Sequence, residues 1–153
     1  GSRMITPFAS GDLDVGAAGP SAAFYNAVAR GIDVRIVADK GSTPLGRPIS
    51  YLSVRKDLVD AGRYKGLADL KGLKVGAAAA GGILTPVIMR ALARGGLTFE
   101  DIELVYMGFP QQAAALRNKA IDAAFPTEPF VTELEKLGAI ARFEGDEIGR
   151  AHV

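Results

Sequence analysis

The chain has 153 residues, 48% of them apolar, and no cysteine, so it can bury a core but has no disulfide, thiolate nucleophile or cysteine-based metal site. Its formal charge is +1, and the basic residues are scattered, densest only around Arg55, Lys56, Arg63 and Lys65, which leaves no footprint for nucleic acid or a membrane surface. No apolar run reaches membrane-spanning length and no signal peptide is read.

In chain order, Ile5 to Ser10 reads as a helix stopped by Gly11, and Leu13 to Ala18 as a short buried strand. Gly19-Pro20-Ser21 starts the helix Ala22 to Arg30, with Ser21 able to cap and Phe24, Ala27 and Val28 on one face. Gly31 closes it, and Val34 to Ala38 alternates as a strand. Gly41 to Pro48 is a loop, and Ile49 to Val54 has strand composition. A helical turn ends at Gly72, followed by the strand Leu73 to Ala77 and a small-residue loop. Ile83 to Arg94 is an amphipathic helix with Ile88 and Leu92 inward, ended by Gly95-Gly96. The strand Glu103 to Met107, the helix Gln111 to Asn118, a buried strand end at Ile121 to Ala124, the helix Phe130 to Leu137 and the strand Ile140 to Phe143 complete the pattern. Alternating strands and helices predict a mainly parallel sheet with crossover helices.

Two stretches echo one another. Ala9-Ser-Gly-Asp-Leu-Asp-Val-Gly-Ala-Ala-Gly-Pro-Ser21 runs into a helix closed by Gly31, and Ala120-Ile-Asp-Ala-Ala-Phe-Pro-Thr-Glu-Pro-Phe130 runs into a helix closed by Gly138. This weak duplication predicts two similar α/β lobes, with Asp14 and Asp122 in structural roles at strand ends. The chain opens Gly-Ser-Arg-Met and closes Ile148-Gly-Arg-Ala-His-Val153. The opening is expected to follow a missing or removed natural N-terminus. The closing six residues read as the in-frame translation of a common sequencing adapter. The sole histidine, His152, is therefore expected not to belong to the natural protein, and the tail to be exposed.

The ordered set Leu67-Ala-Asp-Leu-Lys-Gly-Leu-Lys-Val-Gly76, Asp101-Ile-Glu-Leu-Val105, Gln112-Ala-Ala-Ala-Leu116, Ile121-Asp-Ala-Ala124 and Glu128-Pro129 resembles the substrate-binding proteins of ABC importers. More narrowly, it is similar to the nitrate/sulfonate/taurine and thiamine-pyrimidine-precursor branch, which Ala9 to Gly16 and Ala29 to Val37 also match. The resemblance runs from Ser2 to Phe143. It implies an α/β fold of the type II periplasmic-binding kind, with two lobes, a ligand in the cleft between them and hinge closure around it. Family members are about twice this length, so the chain is expected to be an internal fragment: residues 1–47 an incomplete first lobe, 48–143 the second, and 144–153 a partly non-native tail. Alone it is expected to bind its ligand poorly.

Site candidates follow from position. Gly81, Gly82, Ile83 and Thr85 lie where a strand turns into a helix, and helix N-termini receive anions; the same segment also reads as a tight packing turn. Ser21 occupies the equivalent helix start and reads equally as an N-cap. Glu128 reads either as an acceptor for an amine or ring N–H or as a carboxylate favouring a helix N-terminus. Phe109 and Phe125 end strands and read as stacking or core residues. Tyr51 lies near the crossing between lobes.

The resemblance implies a non-catalytic monomer that captures a small molecule for an ABC permease, in the periplasm or as an extracytoplasmic lipoprotein, with no metal or cofactor. Two alternatives are an enzyme of the same fold doing thiamine-pyrimidine or desulfination chemistry, and a regulatory ligand-binding domain. The first wants Cys or His groups, and the chain has only His152.

Overall fold

A computed structural model describes residues 4–17, 19, 21–38 and 50–143. They fall into two units. The first holds the described residues up to Ala38 together with Gly81–Ile83; the second holds residues 50–80 and 84–143.

The second unit is built on a five-stranded sheet ordered β3-β2-β4-β1-β5, with β1 Leu52–Arg55, β2 Lys74–Ala77, β3 Glu103–Tyr106, β4 Ala123–Ala124 and β5 Ile140–Phe143. β2 runs parallel to both β3 and β4, whereas β1 is antiparallel to β4 and β5. The sheet is therefore mixed rather than uniformly parallel. β1 lies between β4 and β5 and runs against both, while the three strands reached through helical connections, β2, β3 and β4, run the same way. The carboxyl ends of β2, β3, β4 and β5 and the start of β1 consequently share one edge.

Alternation along the strands divides the core between the two faces. Leu52, Val54, Val75, Ala77, Ala123 and Phe125 pack with Leu58 of α3, Lys56–Asp60, and with Ile88, Ala91 and Leu92 of α4, Thr85–Arg94. Ala124 and Ile140 pack on the other face with Leu116 of α5, Phe109–Arg117, and with Val131 and Leu134 of α6, Phe130–Lys136. Helices on both faces give each strand little polar surface to show, which is why β2 and β4 read as apolar runs.

The helix limits follow from backbone chemistry. α4 begins at Thr85 rather than Ile83, with Pro86 in the first turn, where its missing N–H is not needed. It ends at Gly95, whose N–H donates to Ala91 O at 3.2 Å and Leu92 O at 2.9 Å. α5 begins at Phe109, two residues before the expected Gln111, because Pro110 likewise sits in a first turn. α3 was not anticipated; it has one buried side chain, Leu58, too little for a visible period.

The first unit contains α1, Ile5–Ser10, and α2, Ala22–Ala29. Two strands expected here do not form. Residues Leu13–Ala17 and Val34–Ala38 are not in strands, and Val15 and Val37 are 77% and 85% exposed. Leu13 N–H instead closes the end of α1 on Pro7 O at 3.2 Å, and Val34 N–H turns back to Ile32 O at 2.9 Å. Ala18, the Gly41–Pro48 loop and the tail Ile148–Val153 with His152 lie outside the described residues.

Candidate functional site

Ligands of open α/β sheets bind beyond the carboxyl ends of the strands. In the second unit that edge is formed by Ala77–Ala80 after β2, Met107–Gly108 after β3 and Phe125–Glu128 after β4. α4 and α5 both begin at this edge, so their first N–H groups, which have no partner inside the helix, are presented there. Thr85 and Phe109 are the first residues of these helices. Phe109 therefore opens a helix rather than ending a strand, and is half-buried; Phe125 is core, 2% exposed.

Beneath the edge, register partners place Gly76, Ala124, Ser53 and Arg142 in one row across β2, β4, β1 and β5. The row faces α5 and α6. A Cβ on Gly76 would lie 2.7 Å from Ile121 Cδ1 and 3.3 Å from Ala124 Cβ, so a larger residue there would press on Ile121 in the packing beneath α5. Gln112 is fully buried and donates through Nε2 to Met107 O at 2.9 Å, tying the end of β3 to the first turn of α5. Its Oε1 and the buried Ser53 Oγ have no partner among the described residues.

At the far end of the row stands Arg142. Its guanidinium lies 4.5 Å from the centre of the Tyr51 ring, pairs with Glu128 at 3.6 Å and donates to Glu135. Burial opposes the charge on Arg142, but its bond to Glu135 outweighs this, together with Tyr51 and the nearby Glu128 charge, and raises its pKa. Glu128 Oε2 also accepts from Thr132 N–H at 3.1 Å, in the first turn of α6. Glu128 thus sits at the start of α6, and Arg142, not among the sequence candidates, lies against both Tyr51 and Glu128. The signal was there: an arginine on the inward-facing alternate position of the short strand Ile140-Ala-Arg-Phe.

The other candidates belong to the first unit. Ser21 occupies the N-cap position of α2 with extended dihedrals, yet its hydroxyl makes no cap bond and is buried without a partner among the described residues. Ala22 N–H donates to Gly81 O at 3.4 Å, and Ile83 packs against Gly19. Gly81 has φ +62°, a left-handed backbone that glycine adopts without strain, and Gly82 links it to the turn at Ile83–Leu84. Thus Ser21, Gly81 and Ile83 are neighbours, as are Tyr51 and Glu128, while Thr85 and Phe109 stand at the strand edge. A shallow depression lined by Glu128, Pro129, Thr132, Glu133 and Lys136 follows one face of α6 and has the character of open surface. Among the described residues no group of three or more His, Asp or Glu is placed to hold a metal ion, and no helix is long and apolar enough to cross a membrane.

The NMT1-like family profile matches residues 1–147. The chain belongs to the NMT1-like family. Its fold is that of periplasmic binding proteins. The alkanesulfonate-binding protein SsuA from Xanthomonas axonopodis pv. citri, solved with MOPS bound, is 24% identical with a TM-score of 0.74, covering 97% of this chain and 49% of its own. The periplasmic aliphatic sulphonate-binding protein SsuA from Escherichia coli is 24% identical with a TM-score of 0.72, covering 97% and 46%. A putative periplasmic sulfonate-binding protein from Methylobacillus flagellatus is 28% identical with a TM-score of 0.66, covering 91% and 39%. The chain thus spans about half the length of the structures it matches. No curated protein matches it.

Proposed function

We propose that this chain is part of a non-catalytic solute-binding protein that captures a small anion outside the cytoplasmic membrane for an ABC permease. The observation that carries this reading is the carboxyl edge of the second unit, where α4 and α5 both begin beside a turn of small residues. Helix starts favour negative charge and supply N–H donors, and glycine and alanine let a ligand approach the backbone. Residues 77–85 and 107–112 hold no acidic side chain, and Glu128 is already engaged by Thr132 N–H and Arg142. An oxyanion meets donors here and no free carboxylate. Membership of the NMT1-like family and the sulfonate-binding relatives support the same choice.

The test is a titration of the chain with ethanesulfonate followed by amide NMR. The expected result is weak, saturable shifts at Thr85, Val87, Phe109 and Gln111, with a Kd of roughly millimolar magnitude, since a ligand held from one side recovers little of the cost of immobilising it. Saturable shifts confined to other amides, or none at up to about 50 mM ligand, a concentration that would half-fill or better a millimolar site, would remove the proposed edge as the binding surface.

A further inference from the structure

Arg142 is shared by two carboxylates, Glu128 and Glu135, and stacks on Tyr51. Tyr51 precedes β1 and Arg142 lies on β5, and these strands pair side by side with Leu52 opposite Phe143. Glu128 closes the loop that follows β4, whose carboxyl end stands beside that of β2 at one side of the proposed ligand edge. Arg142 is half-buried, so its charge acts through a medium less screening than bulk water. With Arg142 in place the three charged groups sum to one negative charge; without it they sum to two, and Glu128 loses the cation that faces it.

We propose that Arg142 is a positioning residue that sets the charge preference of the ligand edge, by neutralising Glu128 and holding it to the start of α6. The proposal rests on the anion reading above. Its logic is exclusion: an edge built of helix starts attracts an oxyanion, and an unpaired carboxylate on the next loop opposes it. Arg142 touches no ligand in this scheme. It keeps Glu128 turned to Thr132 N–H and cancels its field. Tyr51 supplies a flat face that fixes the guanidinium, a geometry lysine does not reproduce.

Three variants of the chain decide this: Arg142→Met, Arg142→Lys and the double variant Arg142→Met with Glu128→Gln. The double variant returns the cluster to one negative charge while leaving the arginine absent. Ethanesulfonate affinity is expected to fall about fivefold in Arg142→Met, the scale of one partly screened charge, and to return to within about twofold of wild type in the double variant. Arg142→Lys should fall between. A merely structural role would leave the double variant as weak as the single one, and that result overturns the proposal. Hydrogen exchange gives a readout that needs no ligand. In Arg142→Met the Thr132 amide should lose protection while the Ser53 and Val75 amides of the sheet keep theirs. Unchanged Thr132 protection, or equal loss across the sheet, also overturns the proposal. If wild type binds no ethanesulfonate, the anion reading fails, and the Thr132 exchange still decides whether Arg142 holds Glu128.

Discussion

Arg55 and its carboxylates show what a single side chain contributes away from the ligand edge. Its guanidinium donates to Asp57 at 3.0 Å through Nε and Nη2, and through Nη1 to Asp122 at 2.9 Å, while Lys119 approaches Asp57 at 3.0 Å. The bond from Arg55, then that from Lys119, holds the Asp57 carboxyl well below the usual carboxylate range. A carboxylate depressed in the folded state adds stability above its unfolded pKa, and that stability is lost as pH falls toward the folded value. The window therefore opens below about pH 4, the ordinary aspartate range. Asp57→Asn should be less stable than wild type at pH 7 and should lose less on acidification, with urea midpoints that draw progressively closer as pH falls from about 4 to about 2.5. The Asp57 side chain is 43% exposed, so solvent screening keeps the difference well under about 1 kcal/mol. Midpoints that stay equally far apart from pH 7 to pH 2.5 would show that Asp57 carries no linked proton. Asp122 reads from the sequence as a structural acid before a strand, and it accepts from Arg55 and from Lys74 N–H at 2.9 Å. Arg142 was not legible in the same way, because its partners Tyr51 and Glu128 lie far from it in sequence: the pairing of β1 with β5 brings Tyr51 near it, and Glu128 meets it from the loop before α6.

Elements with a strong period and a terminating glycine are legible in kind, while the starts of α4 and α5 are not. The expected start of α4, Ile83, lies two residues before the observed one and that of α5, Gln111, two residues after it; in both helices the proline, Pro86 or Pro110, sits inside the first turn. The paired glycines after α4 carry different constraints. A Cβ on Gly95 would lie 2.7 Å from the backbone C and O of Leu67, in the 3-10 turn Leu67–Leu70, and backbone cannot swing aside. Gly96 has open space but φ +71°. Gly95→Ala is expected to destabilise by about 2 kcal/mol through overpacking. Gly96→Ala should destabilise by about 1 kcal/mol through a left-handed backbone alone. Thermal melting of both variants orders them, and a Gly95→Ala protein that melts at or above Gly96→Ala would contradict the packing of α4 on that turn. The strands expected at Leu13–Ala18 and Val34–Ala38 failed for a different reason. Composition states that a segment suits a sheet, but a strand exists only where a neighbour accepts its hydrogen bonds, and composition is silent on that.

At the scale of the whole molecule, the ordered set of short motifs carried the family and the fold, although no single motif was specific. What the sequence did not show is how unevenly stability is distributed. The second unit buries Leu52, Val54, Leu70, Val75, Leu92, Leu116, Ile121 and Val131 to within 1% of full burial, and each such side chain is worth about 2 kcal/mol of transfer free energy. In the first unit the one buried apolar side chain among the described residues is Ala27, and Val15, Tyr25, Ile36 and Val37 are all at least 60% exposed. α1 has six residues and α2 has eight, below the length at which helices hold in water without packing. Their amides should therefore open locally at little free energy, while those of β1, β2 and β4 should exchange only through opening of the core. Amide hydrogen exchange of the intact chain at neutral pH is expected to show Tyr25 to Ala29 at least about a hundredfold less protected than Ser53, Val54, Val75 and Gly76. A conservative change inside the second unit, Leu92→Ala, should lower protection in the sheet by a factor reflecting about 3 kcal/mol and leave α2 exchange nearly unchanged. If α2 and the sheet were equally protected, or if Leu92→Ala slowed or sped both together, the units would share one cooperative transition and the uneven distribution read from burial would be wrong.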